Sequence, residues 1–361
     1  MTEALNERKM NVSVYVSSDF ITLLIMSTLR ELADRLGVSI AIVSRALNDK
    51  PGVSSEVRQR VIQLAQELRY HPNQAARSLA TSHNPHVLFI VHRRQFSEAE
   101  DPFYPNIVQG LEEVLSSEGY GIMLVTLSDS QMAAGPTELR AIQEQRPSAI
   151  VLAGPDISPS FILATATSGI HTMLVDNALR NTSLPAVLPN NKEGCQAATN
   201  HLIEVHGHQH IALLCGPKGW ISSEERAAGY LSEMETAGFQ PFIVTANDTT
   251  IQTGQEAAIQ ALDVKPETTA IVAINDAMAI GALRASRQMG RSVPGDLAVV
   301  GFDNISWAVY ADPPLTTVSV PMVDMGRLAA RILLDRINGT LTAATRTIAA
   351  AQLVIRASCG C

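Results

Sequence analysis

Apolar residues recur along this chain at two periods, and the change from one to the other falls near residue 85. In the first part Leu32, Ala33 and Leu36 share one helical face. Thr28 and Glu31 stand ahead of it as a capping box, and Gly37 supplies the left-handed residue that ends such a helix. Ser39 caps a second helix, Ile40 to Leu47, in which Val43 and Leu47 point inward. After Asn48–Gly52 a third helix starts near Ser54, with Val57, Val61, Leu64, Ala65 and Leu68 at helical spacing, and His71-Pro72 closes it. Asn73 to Thr81 reads as a small helix tethered by Ser82–Pro85.

Beyond residue 85, short β-rich runs alternate with amphipathic helices. The strands are expected at His86–Val91, Gly121–Leu127, Ala149–Ala153, Thr172–Val175, His210–Cys215, Phe242–Thr245, Thr269–Ala273 and Leu297–Gly301, with a last one near Gln352–Ile355. Helices lie between them, and another is expected at Val323–Ile337. Such alternation builds parallel sheets with right-handed crossovers. There are more strands than one small doubly wound sheet needs, so two α/β lobes are predicted.

Net charge is −8 over 361 residues, which taken alone argues against a nucleic-acid binder. The average conceals a split. Residues 28–82 carry eight Lys/Arg against five Asp/Glu, a balance of +3, whereas residues 83–361 stand at −10. That is the pattern expected when only a head meets phosphates. Residues 1–27 form an extension to which no role is assigned. Polar residues interrupt its apolar stretch and no signal-peptide cleavage site follows, and Met26 is an alternative start. No run has the length of a membrane span, so a cytoplasmic protein is expected.

The four cysteines, Cys195, Cys215, Cys359 and Cys361, show no metal or redox spacing, and the Cys-x-Cys pair reads as a frayed tail. His206, His208 and His210 read as a solvated loop. Neither metal nor cofactor is expected. An enzyme is disfavoured as well: there is no phosphate loop, no G-x-G-x-x-G opening a helix, and no Ser/His/Asp or Cys/His set.

Two helices joined through a glycine turn, the second turned outward, form a unit that fits the DNA major groove. Ile40, Ala41, Ser44, Arg45 and Asn48 fall on the outward stripe. A guanidinium pairs bidentately with guanine, so Arg45 is the leading base reader, with phosphate contact as its alternative. The runs Leu32–Ser39, Val43–Asn48, Pro51–Ser54, Tyr70–Asn73 and Ala76–Ala80 closely resemble the lactose-repressor (LacI/GalR) family of bacterial regulators. The resemblance extends over residues 28–361. It implies a homodimer or higher assembly on near-palindromic double-stranded operator DNA. It also places Ile40 and Ala41 where that family chooses bases, and Leu79 where an apolar wedge enters the minor groove. Leu29, Ser39, Tyr70, Asn73 and Arg77 complete the candidate DNA contacts. The family commonly carries Thr where this chain has Ile42, so the reading surface is unusually apolar.

Ligands of open α/β folds bind beyond the strand ends. The candidates there are Phe103, Tyr104, Asp176, Trp220, Arg226, Asn275 and Asp303, with Trp307 as a further aromatic. Carboxylates, a guanidinium and an amide combined with aromatic faces suit a polyhydroxylated ligand, such as a sugar. Asn275 and Asp303 could instead serve as helix caps. Gly216-Pro217, Arg226–Tyr230, Asn275–Ala279, Gly301–Asn304 and Pro314–Thr317 resemble that family's sensor signatures. The expected whole is an α/β two-lobed periplasmic-binding-protein-like sensor with a small all-α helix-turn-helix DNA-binding head. Its divisions are a head at 28–72, a hinge helix and linker at 73–84, and an effector-binding domain at 85–361. Lobe 1 is expected at about 85–186 plus 315–345, and lobe 2 at about 187–314 plus 346–361. A secreted solute-binding protein would share the sensor but lack the head.

Overall fold

The computed structural model describes residues 29–47, 50–68, 70, 85–96, 102–179, 182–341 and 345–361. The extension 1–27 and the hinge helix, with Thr28, Asn48, Asn73, Arg77 and Leu79, lie outside the described residues. The chain forms two compact units, divided between residues 82 and 83.

The first unit contains α1 (Leu29–Leu36), α2 (Ile40–Leu47) and α3 (Ser55–Glu67). Its core is Leu32, Ala33, Val43, Ala46, Val61 and Ala65, the inward stripe that the spacing predicts, with Ala46 added. Gly37 turns between α1 and α2 at φ +63°. Ser39 accepts from the Ile42 amide and Ser54 from that of Val57, so both N-termini carry the side-chain caps expected of them. Glu31 pairs with Arg35.

The second unit holds two sheets, each of six strands among the described residues. The first sheet runs β11-β5-β4-β3-β1-β2, comprising β1 (His86–His92), β2 (Gly121–Leu127), β3 (Ala149–Ala153), β4 (His171–Val175), β5 (Ala186–Pro189) and β11 (Arg346–Ala349). Its helices are α4 (Phe103–Ser117), α5 (Asp129–Ala134), α6 (Arg140–Gln145) and α7 (Pro159–Ala166). The second runs β12-β10-β9-β8-β6-β7, comprising β6 (Ile211–Cys215), β7 (Phe242–Thr245), β8 (Ala270–Ala273), β9 (Ala298–Asp303), β10 (Thr316–Ser319) and β12 (Gln352–Val354). Around it lie α8 (Asn191–Glu204), α9 (Ile221–Thr236), α10 (Ile251–Val264), α11 (Asp276–Gln288) and the short α12 (Trp307–Tyr310). The pairings are parallel except β10 with β12. Strands such as β3 and β9 are buried along their whole length, as sheets covered on both faces require. The helix α13 (Met322–Ile337) packs on α4 and β4 of the first lobe.

The lobe boundaries depart from expectation at the crossings. Strand β10, placed with lobe 1 by sequence, pairs with β9 in the second sheet, and β11, placed with lobe 2, pairs with β5 in the first. These strands, like β5, are four residues long, and proline or a loop interrupts their pattern. A run that short does not encode which sheet it joins. The Cys-x-Cys segment is not frayed. Residues Ala357–Cys359 form a 3-10 turn, and Ser358 is buried beneath Thr316 and Val299.

Candidate functional sites: a recognition helix and an interlobe cleft

In the head, α2 divides cleanly. Val43 and Ala46 are buried, whereas Ser39, Ile40, Ala41 and Arg45 are exposed and Ser44 is half-exposed. Ile40, at the start of α2, is left 43 % exposed. Arg45 has its guanidinium over Gly52. Arg58 fixes the following loop by donating to the carbonyl of Lys50 at 2.9 Å. Leu29 and Tyr70, both candidate DNA contacts, pack partly against the head's core.

The cleft lies between the two lobes of the sensor unit. Lobe 1 contributes Gln95, Phe103, Tyr104, Pro155 and Asp176; lobe 2 contributes Trp220, Ser222, Ser223, Arg226, Thr249, Ile274, Asn275 and Asp303. Seven of the eight effector candidates therefore come together. Trp307 does not line the cleft: it opens α12 and rests against the core.

Arg226 projects from α9 and is enclosed by protein. Its Nη2 lies 3.2 Å from Asp303 Oδ1, its Nε donates to Asn191 Oδ1 at 2.9 Å, and its Nη1 donates to the carbonyl of Ile274. The guanidinium carbon sits 3.8 Å from the centre of the Phe302 ring. A buried cation needs such a shell, because desolvation without compensation costs several kcal/mol, on the order of its whole pairing energy. Asn191 also donates to Glu225, which pairs with Arg346 on β11 at 2.7 Å. The network therefore runs from the cleft to the first lobe's sheet. Sequence reasoning did not single out Asn191, Glu225 or Arg346.

Asp176 is the counterpart in lobe 1. It leaves β4 in a left-handed conformation, φ +51°, and takes a 2.9 Å bond from the Tyr104 hydroxyl on Oδ2. Burial pushes its carboxyl up to about 6, against the opposing pull of Arg226 and Tyr104. Its Oδ1, like Ser223 Oγ, is buried with no hydrogen-bond partner among the described residues. Asn275 performs both roles considered for it: Oδ1 caps α11 by accepting from Met278 while the residue lines the cleft. Asp303 binds Arg226 and does not cap a helix.

Residues 28–73 match the family described as bacterial regulatory proteins, lacI family, and residues 199–359 match the periplasmic binding protein-like domain. The ribose operon repressor of Halalkalibacterium halodurans is 32% identical over 87% of this chain and 91% of its own. The regulator CelR of Thermobifida fusca is also 32% identical, over 92% and 98%. The chain belongs to the lacI family. Among solved structures, a lac repressor dimer bound to operator and the anti-inducer ONPF aligns with a TM-score of 0.80 at 26% identity, covering 92% of this chain and 99% of that one. A CelR–cellobiose complex aligns at 0.69 and 31%, with the same coverage.

As a lacI-family member the chain is a DNA-binding transcriptional regulator, and the solute-binding reading without a DNA role is not favoured. Among the described residues no helix is long and apolar enough to cross a membrane. Six cleft residues escaped the sequence reading: Ser222 and Ser223 lie in the first turn of α9, whereas Gln95, Pro155, Thr249 and Ile274 follow strands β1, β3, β7 and β8. Applying the strand-end rule to every strand would have found the latter four.

Proposed function

We propose that this regulator is a cytoplasmic, non-enzymatic repressor that binds near-palindromic operator DNA as a homodimer, and that a carbohydrate in the interlobe cleft sets its affinity. One observation carries the effector reading. Asp176 Oδ1 and Ser223 Oγ, from opposite lobes, are buried polar atoms without a hydrogen-bond partner among the described residues, at a cleft also lined by Phe103 and Trp220. A sugar hydroxyl donates to the carboxylate, another pairs with the serine, and an aromatic face covers the ring's C–H side. Because the two atoms belong to different lobes, a ligand joining them favours one lobe arrangement over the other. Such a preference of a few kcal/mol is what shifts a two-state regulator. The related ribose repressor and the cellobiose complex of CelR point to the same ligand class.

On DNA, Ile40 and Ala41 read thymine methyl groups and Arg45 reads a guanine edge. Leu79, Asn73 and Arg77 of the hinge are assigned to the minor groove and its backbone through the family resemblance alone. The test pairs two assays on the full chain: a thermal-shift screen against pentoses, hexoses, disaccharides and nucleosides, then operator binding with each stabilising compound. Stabilisation by a sugar that also changes operator affinity is the expected result. Stabilisation by nucleosides alone would overturn the carbohydrate reading.

A further inference from the structure

Away from the cleft, the far end of α8 meets the segment 357–361. His201 lies in the last turn of α8, and the chain then turns so that His206 faces it, with Nε2 atoms 3.3 Å apart. Cys361 Sγ lies 3.6 Å from His201 Nε2 and 3.3 Å from His206 Nε2. Cys359 joins them, all four donor atoms lying within 4.8 Å of one another. A tetrahedral zinc ion about 2.0–2.1 Å from nitrogen and about 2.3 Å from sulfur sets N···N edges of about 3.3 Å and N···S edges of about 3.6 Å. The three separations among His201, His206 and Cys361 are close to those edges, and Cys359 Sγ lies within 4.8 Å of the other three donors.

We propose that His201, His206, Cys359 and Cys361 form a structural Cys2His2 site for Zn2+. The supports are built in. Ser358 locks the 3-10 turn by donating to Val299 at 2.5 Å and accepting from the Thr316 amide at 2.8 Å. Thr316 Oγ1 lies 3.1 Å from Cys359 Sγ, in place to donate to a thiolate. Gly360 takes φ +104°, the left-handed geometry that folds Cys361 back over the histidines. His208 is not part of this donor group: the atoms within 4.8 Å of one another are those of His201, His206, Cys359 and Cys361, and the Nδ1 of His208 faces Thr269 Oγ1 at 2.9 Å. Four protein donors leave no open position, which makes the site structural rather than catalytic. Binding turns both thiols into thiolates: two protons leave to solvent, and two thiolates with two neutral imidazoles balance the dication. The site ties the segment 357–361 to the end of α8, whose first residue, Asn191, holds Arg226 in the cleft.

The test uses the full, untagged chain purified under reducing conditions without chelator. Metal analysis is expected to find about one zinc per chain. After chelator treatment, Co2+ is expected to give the intense visible bands of a tetrahedral thiolate complex, lost on adding Zn2+. His206→Ala and Cys361→Ser, at incompletely buried positions, should lose the metal and those bands, while His208→Ala keeps both. Because a variant can misfold, chelation of the unaltered chain provides a second readout, a fall in melting temperature of about 5 °C or more that Zn2+ reverses. Sub-stoichiometric zinc with only octahedral Co2+ spectra would overturn the proposal. Equal metal loss from His208→Ala and His206→Ala would do the same, since it signals adventitious surface binding.

Discussion

The proposed recognition helix and the proposed effector cleft solve opposite problems. The candidate readers described in α2 fall within one eight-residue helix, held outward by a core of six small and aliphatic side chains. The cleft draws its lining from both lobes, and its central groups are buried among charges of both signs. A surface reader needs only a helix whose face is exposed, so local periodicity suffices to place it. A buried polar site needs each charge compensated, and the compensating groups come from distant segments. Substitutions should therefore act differently in the two regions: loss of specificity with little loss of fold in the head, and joint loss of ligand response and stability in the cleft.

The largest effect is expected from Arg226→Ala. It removes the cation that faces the buried Asp303 carboxylate at 3.2 Å and should destabilise the sensor by about 3–5 kcal/mol while abolishing effector response. Thermal melts and operator-release assays check this; a variant with wild-type melting and response would remove Arg226 from the centre of the network. Asp176→Asn should weaken effector binding by about 1.5–3 kcal/mol, roughly 10- to 150-fold, with little change in operator affinity in the absence of effector. Calorimetry with the best sugar from the screen measures it, and unchanged affinity would exclude Asp176 from the contact set.

In the head, Arg45→Ala should narrow the preference for operator over random DNA by about 1–3 kcal/mol while leaving melting unchanged. If affinity falls equally for both DNAs, Arg45 is a phosphate contact, and the head then reads sequence through its apolar positions. The smallest effect concerns Asp156, which lies 3.2 Å from His92 Nδ1 and is pushed up to about 7 by burial. Its ordinary value is 3.8, so the folded chain holds that proton across the interval between. Stability from this group is complete below the lower value and is lost as pH rises through about 7. Asp156→Asn should flatten the decline in melting temperature from pH 5 to 8 and raise melting at pH 8 by roughly 2–6 °C. A decline as steep as wild type would trace the pH dependence to Asp176 instead.

Much of this molecule was legible before its structure. The helix pattern of the head, the βα alternation and the strand-end residues Asp176, Arg226, Asn275 and Asp303 follow from spacing and residue type, because burial of one face and the geometry of parallel sheets constrain them locally. The motifs of the head and sensor likewise carried the family. Tertiary structure decided what depends on pairing between distant segments. It allotted β10 and β11 to their sheets, set Trp307 apart from the cleft and enclosed Arg226 in a network through Asn191 and Glu225 to Arg346. It also folded a Cys-x-Cys segment that read as a loose tail against two histidines more than 150 positions earlier, Cys361 and His206 being 155 apart. Local pattern records which face of a segment is buried. It carries no signal for which distant partner buries it, and that is where the buried charges and the clustered donors arise.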